Sequence, residues 1–330
     1  MKFKLNDSKD ELPFKQEGED MKDEVSSKSS GDSFFDKLFE ELMNKRENST
    51  NAGIWKILEE VKSTFSYTPK IGIVGDSGIG KSSLCNALFG REVFPTSGGG
   101  QGCTREAQTK LIQTDKGKFE ITDLPGIGES PEWHDEYVDL YKKHIPEFDI
   151  LIWAIKADSR AWKQAIDAYK ELTCELKSCP IVFALTQSDK VNPSSKFCFE
   201  KMQPNEKQII NINSVKERVV AEFDVALEDV ISVAIVLDEE TGDYKNYNLS
   251  SLVTRIVEVL PNKKKKSFTR EAADENITEE TQKKADKGFW DHIKEFAGDI
   301  WEEAEPYVKP LLGALSGKII SQALSKFKFW

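Results

Sequence analysis

This chain of 330 residues is poor in cysteine and histidine and has no long hydrophobic run. Its five cysteines are an odd number and form no CxxC pair, which argues against a disulfide framework and against a zinc site. No stretch of about 18 uncharged apolar residues occurs, and the first residues lack the apolar core of a signal peptide. We therefore expect a reduced protein of the cytoplasm that does not span a membrane.

Positive charge is also in short supply, because 46 Lys and Arg face 57 Asp and Glu and the formal net charge is −11. A surface that wraps nucleic acid depends on Lys and Arg, so DNA binding is not expected. One local basic run, Lys263 to Lys266, has two interpretations. It is a solvated linker, or it contacts an anionic membrane surface or ribosomal RNA at the periphery, together with the amphipathic C-terminal segment.

Short apolar runs alternate with helical patterns between residues 69 and 262. Alternation of this kind predicts an α/β fold, a mainly parallel sheet with helices on both faces. Residues 1–32 have many charges and no apolar period, which predicts a disordered acidic tail. The remaining segments are predicted as N-terminal helices packed on the main domain (33–68), a basic and polar linker (263–287) and C-terminal amphipathic helices (288–330).

Residues 71–82 carry the most informative motif, IGIVGDSGIGKS, an apolar strand that runs into GxxxxGKS and then into a helical pattern. This is the phosphate-binding P-loop in its required context. Its glycines let the backbone aim amides at phosphate oxygens, and the next helix adds its positive N-terminal end. Lys81 is predicted to reach the β- and γ-phosphates, and the Ser82 hydroxyl to bind Mg²⁺. The predicted phosphate site comprises Asp76, Ser77, Gly78, Ile79, Gly80, Lys81, Ser82 and Ser83.

A DxxG motif, Asp123 to Gly126, follows the P-loop at the end of a predicted strand. The Asp123 carboxylate can hold Mg²⁺ through its water shell, and the Gly126 amide can face the γ-phosphate. Between the two motifs, a glycine-rich stretch ends in Thr104, the predicted switch threonine for Mg²⁺ and the γ-phosphate, with Thr96 as the alternative. The predicted catalytic groups are Lys81, Thr104 and Gly126.

The base site is predicted at TQSD, residues 186–189, directly after an apolar strand. Asp189 can accept both hydrogen bonds that guanine N1 and N2 donate, which adenine cannot offer. Gln187 stands where typical guanine sites carry lysine, so a charge is lost while an aliphatic stem remains to lie against the base. An ordinary polar turn is the alternative for this segment. The other predicted contacts are Thr186, Ser232 and Val233, the last two in a loop whose backbone amide would meet guanine O6.

As a set, these motifs resemble the Era-like branch of the P-loop GTPases, of the translation-factor class, over roughly residues 70–260. The order GDSGIGKSSLCNALFG, a threonine in a glycine-rich switch, DLPGIGES and TQSD carries the resemblance. The stretch ITDLPGIGES followed by EYVDLYKKHIPEFDILIWAIKADSRA is similar to the bacterial YeeP/YfjP-type GTPases. The resemblance implies a Ras-like sheet, bound GTP or GDP, Mg²⁺ dependence and a switch that relaxes on hydrolysis.

The expected function is a molecular switch that hydrolyses GTP to GDP and phosphate. Ile127 follows the DxxG glycine where Ras-type proteins carry glutamine, and an apolar side chain cannot orient water, so we expect slow intrinsic hydrolysis. A nucleotide-dependent scaffold with negligible turnover, whose terminal helices bind a membrane or a partner, is the alternative from a different class. An ATPase is the second alternative. The switch regions are the expected contact for a protein partner or a second copy of the chain.

Overall fold

A six-stranded sheet forms the centre of the computed structural model, which describes residues 52–96, 106–126, 133–159, 162–238, 241 and 244–315. The strands among these residues are β1 (Lys70–Val74), β2 (Gln108–Gln113), β3 (Lys118–Asp123), β4 (Ile150–Lys156), β5 (Ile181–Thr186), β6 (Val230–Ser232), β7 (Ala234–Leu237) and β8 (Tyr244–Tyr247). The order across the large sheet is β2-β3-β1-β4-β5-β6, and only the β2–β3 pair is antiparallel. The predicted α/β fold with a mainly parallel sheet is confirmed.

Among the described residues, helices cover both faces of this sheet, and further helices pack on one another. They are α1 (Ala52–Phe65), α2 (Lys81–Phe89), α3 (His134–His144), α4 (Lys163–Glu171), α5 (Thr173–Leu176), α6 (Glu206–Phe223), α7 (Leu249–Val259), α8 (Asn262–Glu271), α9 (Glu279–Ala297) and α10 (Trp301–Leu315). One face packs against α2, α7 and α8, and the opposite face packs against α3 to α6.

Strand β4 shows why the sequence needs two covered faces. Its side chains are apolar from Ile150 to Ile155 and buried throughout. Ile150 and Ile152 belong to the core on one face, whereas Leu151 and Trp153 belong to the core on the other. Because successive side chains of a strand point to opposite faces, a continuous apolar run is stable only between two helical layers.

A small antiparallel hairpin, β7 with β8, lies outside the large sheet. The sequence predicts one strand over residues 230–234, whereas the structure ends β6 at Ser232 and begins β7 at Ala234. Val236 and Tyr247 of the hairpin pack on Phe197 and Met202, which belong to the segment after the TQSD motif. Two chain segments beside the predicted base site are thereby joined in one small apolar cluster.

The prediction of a linker over residues 263–287 is wrong. Helix α8 and the first half of α9 occupy this range, and both pack on the main domain. Phe268 is fully buried and meets Phe89 of α2 edge to face, with ring centroids 6.4 Å apart. The helical layer after residue 261 is therefore continuous with the core of the nucleotide domain.

The lysine run at the start of α8 is engaged within the chain. Lys264 Nζ donates to the buried carboxylate of Asp149, Lys265 Nζ to Glu258 O at 2.9 Å, and Lys266 Nζ to Asp286. The fourth lysine of the run, Lys263, is exposed. Three of the four ammonium groups thus neutralise or cap groups of the protein itself.

The first described helix and the last two form one apolar unit. Trp55, Leu58 and Val61 of α1 pack with Phe289 and Ile293 of α9, and α10 completes the cluster. The predicted amphipathic faces of these three segments therefore cover each other. Among the described residues, no helix has both the length and the apolarity needed to cross a membrane.

Several sequence predictions fall outside the described residues. They are the acidic tail over 1–32, the first helical pattern of the 33–68 segment and the end of the C-terminal segment after residue 315.

Candidate functional site

The P-loop connects the end of β1 to the start of α2, with three glycines at positive φ. The values are 145° at Gly75, 73° at Gly78 and 93° at Gly80. Residues with a side chain rarely adopt such angles, so glycine is the residue type that this turn requires. The carbonyl of Gly80 then accepts from the amide of Leu84 at 2.9 Å, which begins helix α2 with Ser82 and Ser83 in its first turn.

The turn also packs tightly against strand β4 of the sheet. A Cβ added at Gly75 would lie 2.3 Å from the side chain of Ile79 and 2.5 Å from the carbonyl oxygen of Ala154 in β4. Ile79 is itself buried, whereas Ser77 and Gly78 are exposed. The loop therefore rests on the sheet by one apolar side chain and presents its polar residues outward, as a phosphate cradle requires.

Lys81 lies over the loop that it follows. Its Nζ donates to Gly75 O at 2.7 Å and to Asp76 O at 3.3 Å, and it lies 3.8 Å from Oδ1 of Asp123. Both side chains are mostly buried. The structure thus brings together the predicted phosphate-binding cation and the predicted Mg²⁺-binding carboxylate.

Gly126, the last residue of the DxxG motif, lies directly against the P-loop. A Cβ added here would be 2.9 Å from Cα of Asp76 and 3.2 Å from the amide nitrogen of Ser77. In addition, the amide of Leu124 donates to Ile73 O in β1 at 3.0 Å. The DxxG segment is therefore registered on the P-loop by backbone contacts.

The TQSD segment follows β5 at the same edge of the sheet. Thr186 is buried and donates to Ile155 O at 3.3 Å, and Gln187 Nε2 donates to the P-loop carbonyl of Gly78 at 3.0 Å. Burial raises the pKa of Asp189, while a backbone hydrogen bond and the charge of Lys190 act in the opposite direction. A half-buried carboxylate beside the phosphate loop can accept two donors from a guanine ring.

The loop after β6 differs from the prediction at Val233. Its amide donates to Leu185 O at 2.8 Å, and its carbonyl accepts from the amide of Ser188 at 3.1 Å. The Val233 amide is thus paired with β5 and is not available for guanine O6, while the Val233 carbonyl holds the TQSD loop through Ser188. Ser232 is buried, and its carbonyl accepts from Asn248 Nδ2 at 3.0 Å. The backbone of Asn248 is in the left-handed region, and no motif of the sequence indicates its contact with the loop.

The described residues fit a bound divalent cation only with help from a ligand. Among them, no group of three or more His, Cys, Asp or Glu side chains could hold a metal ion. Mg²⁺ is typically held by one or two protein oxygens together with substrate phosphates and water. Ser82 in the first turn of α2 and Asp123 at the end of β3 suit that arrangement. The predicted switch threonine Thr104 lies outside the described residues, and so does Ile127, whereas the alternative Thr96 is exposed.

Comparison with known proteins gives a consistent result. A protein-family profile described as 50S ribosome-binding GTPase matches residues 70–187. The chain is 38% identical over 162 residues to the uncharacterized protein YfjP of Escherichia coli strain K12, a match that covers 48% of the chain and 56% of YfjP. It is 39% identical over 140 residues to the uncharacterized protein YkfA of the same strain, covering 42% of the chain and 48% of YkfA. The chain thus spans about half the length of these two relatives.

A third relative is covered more fully. The chain is 30% identical over 140 residues to the probable GTP-binding protein EngB of Desulfovibrio desulfuricans, covering 41% of the chain and 69% of EngB. Among solved structures, a probable GTP-binding protein EngB aligns with a TM-score of 0.40 and 21% identity over 58% of this chain and 97% of that one. Era of Aquifex aeolicus bound to GDP and AlF4⁻ aligns with a TM-score of 0.41 and 21% identity, over 59% of this chain and 57% of that one.

Proposed function

Since this chain belongs to the P-loop GTPases of the translation-factor class, we propose that it is a guanine-nucleotide switch that slowly hydrolyses GTP to GDP and phosphate with Mg²⁺. The single observation that carries the proposal is the meeting of three motifs at one edge of the sheet. Gly126 of DxxG backs onto the P-loop, and Gln187 of TQSD donates to the P-loop carbonyl of Gly78. A polyphosphate and a purine joined by a ribose would therefore contact one continuous surface.

The positions of Lys81, Ser82, Asp123 and Gly126 support the roles proposed for them, and Thr104 keeps the role that the sequence predicts. Lys81 and the amides between Asp76 and Ser83 bind the phosphates, and their positive charge stabilises the charge that develops on the transferred phosphoryl group. Ser82, Asp123 and Thr104 hold Mg²⁺, which supplies further neutralisation of the phosphates when bound. Gly126 contributes its backbone amide beside the γ-phosphate.

Base selection rests on Asp189. Its carboxylate accepts from guanine N1 and from the exocyclic amine, whereas adenine presents an acceptor at N1 and no donor at position 2, so ATP leaves a half-buried carboxylate unpaired. This argues for GTP over ATP. Thr186 and Gln187 hold the loop against β4 and the P-loop, so that the carboxylate keeps a fixed distance from the phosphates.

Titration with fluorescent GDP, GTP and ATP analogues, with and without Mg²⁺, tests the proposal directly. We expect tight binding of both guanine nucleotides, weak binding of the ATP analogue and slow GTP loss in a single-turnover assay. No affinity for any guanine nucleotide would refute the proposal. A hydrolysis rate equal to that of partner-activated GTPases would refute the slow turnover that the apolar Ile127 predicts.

Two variants separate the roles of phosphate and base. Lys81→Ala should weaken binding of GDP and GTP and abolish hydrolysis. Asp189→Asn should weaken guanine nucleotides and favour xanthosine diphosphate, because the new amide can donate to the 2-oxo group of xanthine. If Asp189→Asn binds GDP as well as the parent does, the base assignment is wrong.

A nucleotide-dependent scaffold with negligible turnover is the second candidate. The observation that favours it is the attachment of the C-terminal helices to the nucleotide domain. Asn276 Nδ2 donates to Ala87 O at the end of the P-loop helix α2, at 2.8 Å, and Glu271 accepts from Thr114 in the β2–β3 turn at 2.8 Å. A scaffold would bind GTP tightly without measurable phosphate release, which the same single-turnover assay detects.

A further inference from the structure

Gln187 links the base loop to the phosphate loop, and its side-chain amide has a fixed direction. Nε2 donates to the carbonyl of Gly78 at 3.0 Å, and Oε1 accepts from Nζ of Lys190 at 2.8 Å. An ammonium group only donates and a carbonyl only accepts, so the two partners require opposite ends of the amide. Lys190 and the Gly78 carbonyl therefore require the same orientation of the Gln187 amide, with Nε2 facing the P-loop.

Lys190 also brings charge to a loop that lacks the usual lysine. It follows Asp189 directly, and its charge acts against the burial that raises the pKa of this carboxyl group. A positive charge near Asp189 favours the ionised form, which is the form that accepts two hydrogen bonds from guanine. One ammonium group thus acts on both side chains of the TQSD motif that face the ligand region.

The loop backbone is held by other residues. Gln208 is fully buried, and its Nε2 donates to Asp189 O at 3.3 Å and to Val191 O at 3.0 Å. Gln208 is in turn locked in a reciprocal cap with Asn205 at the start of α6. The path of the loop therefore does not depend on Lys190, and a change at position 190 acts on side chains.

We propose that Lys190 is a positioning residue for the nucleotide: it supplies a cation beside a base loop that lacks the usual lysine, and it holds the Gln187 amide in the orientation that contacts the P-loop. This inference rests on the proposed function. Its consequence is a relay of two hydrogen bonds. Lys190 Nζ donates to Oε1 of Gln187, and Nε2 of the same neutral amide donates to the carbonyl of Gly78.

A double-mutant cycle between positions 187 and 190 tests the relay. Lys190→Met removes the charge and the donor but keeps an unbranched side chain that is one atom shorter. We expect it to speed the release of fluorescent GDP by about three- to tenfold, the range for one partly screened charge-assisted hydrogen bond. In a Gln187→Lys background, which restores the direct lysine, the same Lys190→Met change should alter release by less than about twofold.

Three further measurements make the result specific. Lys190→Arg keeps a cationic donor and should release GDP at the parental rate. Lys196→Met, at an exposed lysine six positions further along the same loop, should leave release unchanged. The free energy of unfolding without nucleotide should be the same for Lys190→Met as for the parent, since the loop backbone is held by Gln208.

The proposal is overturned if Lys190→Met changes release equally in both backgrounds, or if it has no effect in the parent. A loss of unfolding free energy in Lys190→Met that Lys190→Arg does not repair overturns it too. These outcomes differ from a failure of the proposed function, because in that case the parent protein itself would show no affinity for fluorescent GDP.

Discussion

Two glycines of the site are required for different physical reasons. Gly126 has an ordinary backbone conformation, but a Cβ there would lie 2.9 Å from Cα of Asp76. Gly78 has room for a Cβ, but its φ of 73° is in the left-handed region. At Gly126 a side chain would clash with the P-loop backbone, whereas at Gly78 it would strain the backbone conformation.

We predict that Gly126→Ala weakens GDP binding roughly tenfold or more, because the P-loop backbone must move to accept the methyl group. Gly78→Ala should cost about 1–2 kcal/mol of backbone strain and leave the DxxG contact intact. Titration with fluorescent GDP measures the first effect and chemical denaturation the second. Parental affinity in Gly126→Ala would show that the DxxG segment does not press on the P-loop when nucleotide is bound.

The raised pKa of Asp189 predicts that guanine-nucleotide affinity and the free energy of unfolding both depend on pH. Because burial raises the pKa of this carboxyl group on folding, the folded chain binds the proton more tightly than the unfolded chain. Its contribution to stability therefore increases as pH falls through the folded pKa, opposite to a salt-bridged aspartate. Guanine affinity changes in the other direction, since protonation removes an acceptor.

We expect GDP affinity to fall on acidification, with a midpoint above that of a solvent-exposed aspartate. The dependence should vanish in Asp189→Asn, whose side chain does not titrate. Titrations with GDP across a pH series check this. An unchanged pH profile in the variant would assign the effect to another group.

At the scale of secondary-structure elements, Asp149 joins four segments at the end of the sheet that lies away from the P-loop. It is 3% exposed and accepts from Tyr67 Oη at 2.9 Å, from the amide of Lys70 at 2.8 Å and from Nζ of Lys264. Burial raises the pKa of Tyr67, and the charge of Asp149 and the hydrogen bond to it act in the same direction. The start of β4 is thereby tied to β1, to the segment after α1 and to α8.

We predict that Asp149→Ala lowers the free energy of unfolding by about 3 kcal/mol, because it leaves a partly buried ammonium and two donors without their acceptor. Urea denaturation gives the value. The matched control is Lys283→Ala, which breaks an exposed pair with Glu279 on α9 and should cost no more than about 0.5 kcal/mol. Equal losses in the two variants would contradict the role given to Asp149.

At the scale of the whole molecule, the helices after residue 261 are part of the nucleotide domain's own core. Phe268, Ala272 and Ala285 are buried in the same cluster as the P-loop helix α2 and the first face of the sheet. The amide of Ala273 also donates to Leu88 O at 3.0 Å, at the carboxyl end of α2. The helix that begins at the phosphate site thus ends against the C-terminal layer.

A chain that ends at Pro261 should therefore fail to fold, although it contains every nucleotide-binding motif. Truncation would remove α8 and α9, uncover Phe89 of α2, which packs on Phe268, and remove the donors to Ala87 O and Leu88 O. We expect this loss to exceed a typical free energy of unfolding of about 5–15 kcal/mol. A chain that ends at Leu315 keeps all of the described contacts and is the matched control, which should fold and bind GDP. Circular dichroism and GDP titration of both chains make the comparison. A folded, GDP-binding protein ending at Pro261 would show that the layer is an appendage.

The sequence by itself determined the parallel sheet, the P-loop and the positions of Asp123, Gly126 and Asp189. These features are local, since continuous apolar strands and glycines at obligatory positive φ leave a signature within a few residues. The sequence did not reveal helix α8. This helix buries four polar residues in hydrogen bonds, so its apolar residues do not recur at helical spacing; the four are Lys266, Ser267, Thr269 and Glu271.

Only the tertiary structure decided the roles of Lys264, Gln187 and Val233. Lys264 pairs with a residue 115 positions away and Gln187 contacts one 109 positions away, while the Val233 amide is taken by Leu185 of the neighbouring strand. A polar side chain has the same local pattern whether it meets water or a distant partner, because hydrogen bonds are selected by proximity in the folded chain. Periodicity reports which face of an element is apolar, and the packing of elements decides which polar groups meet.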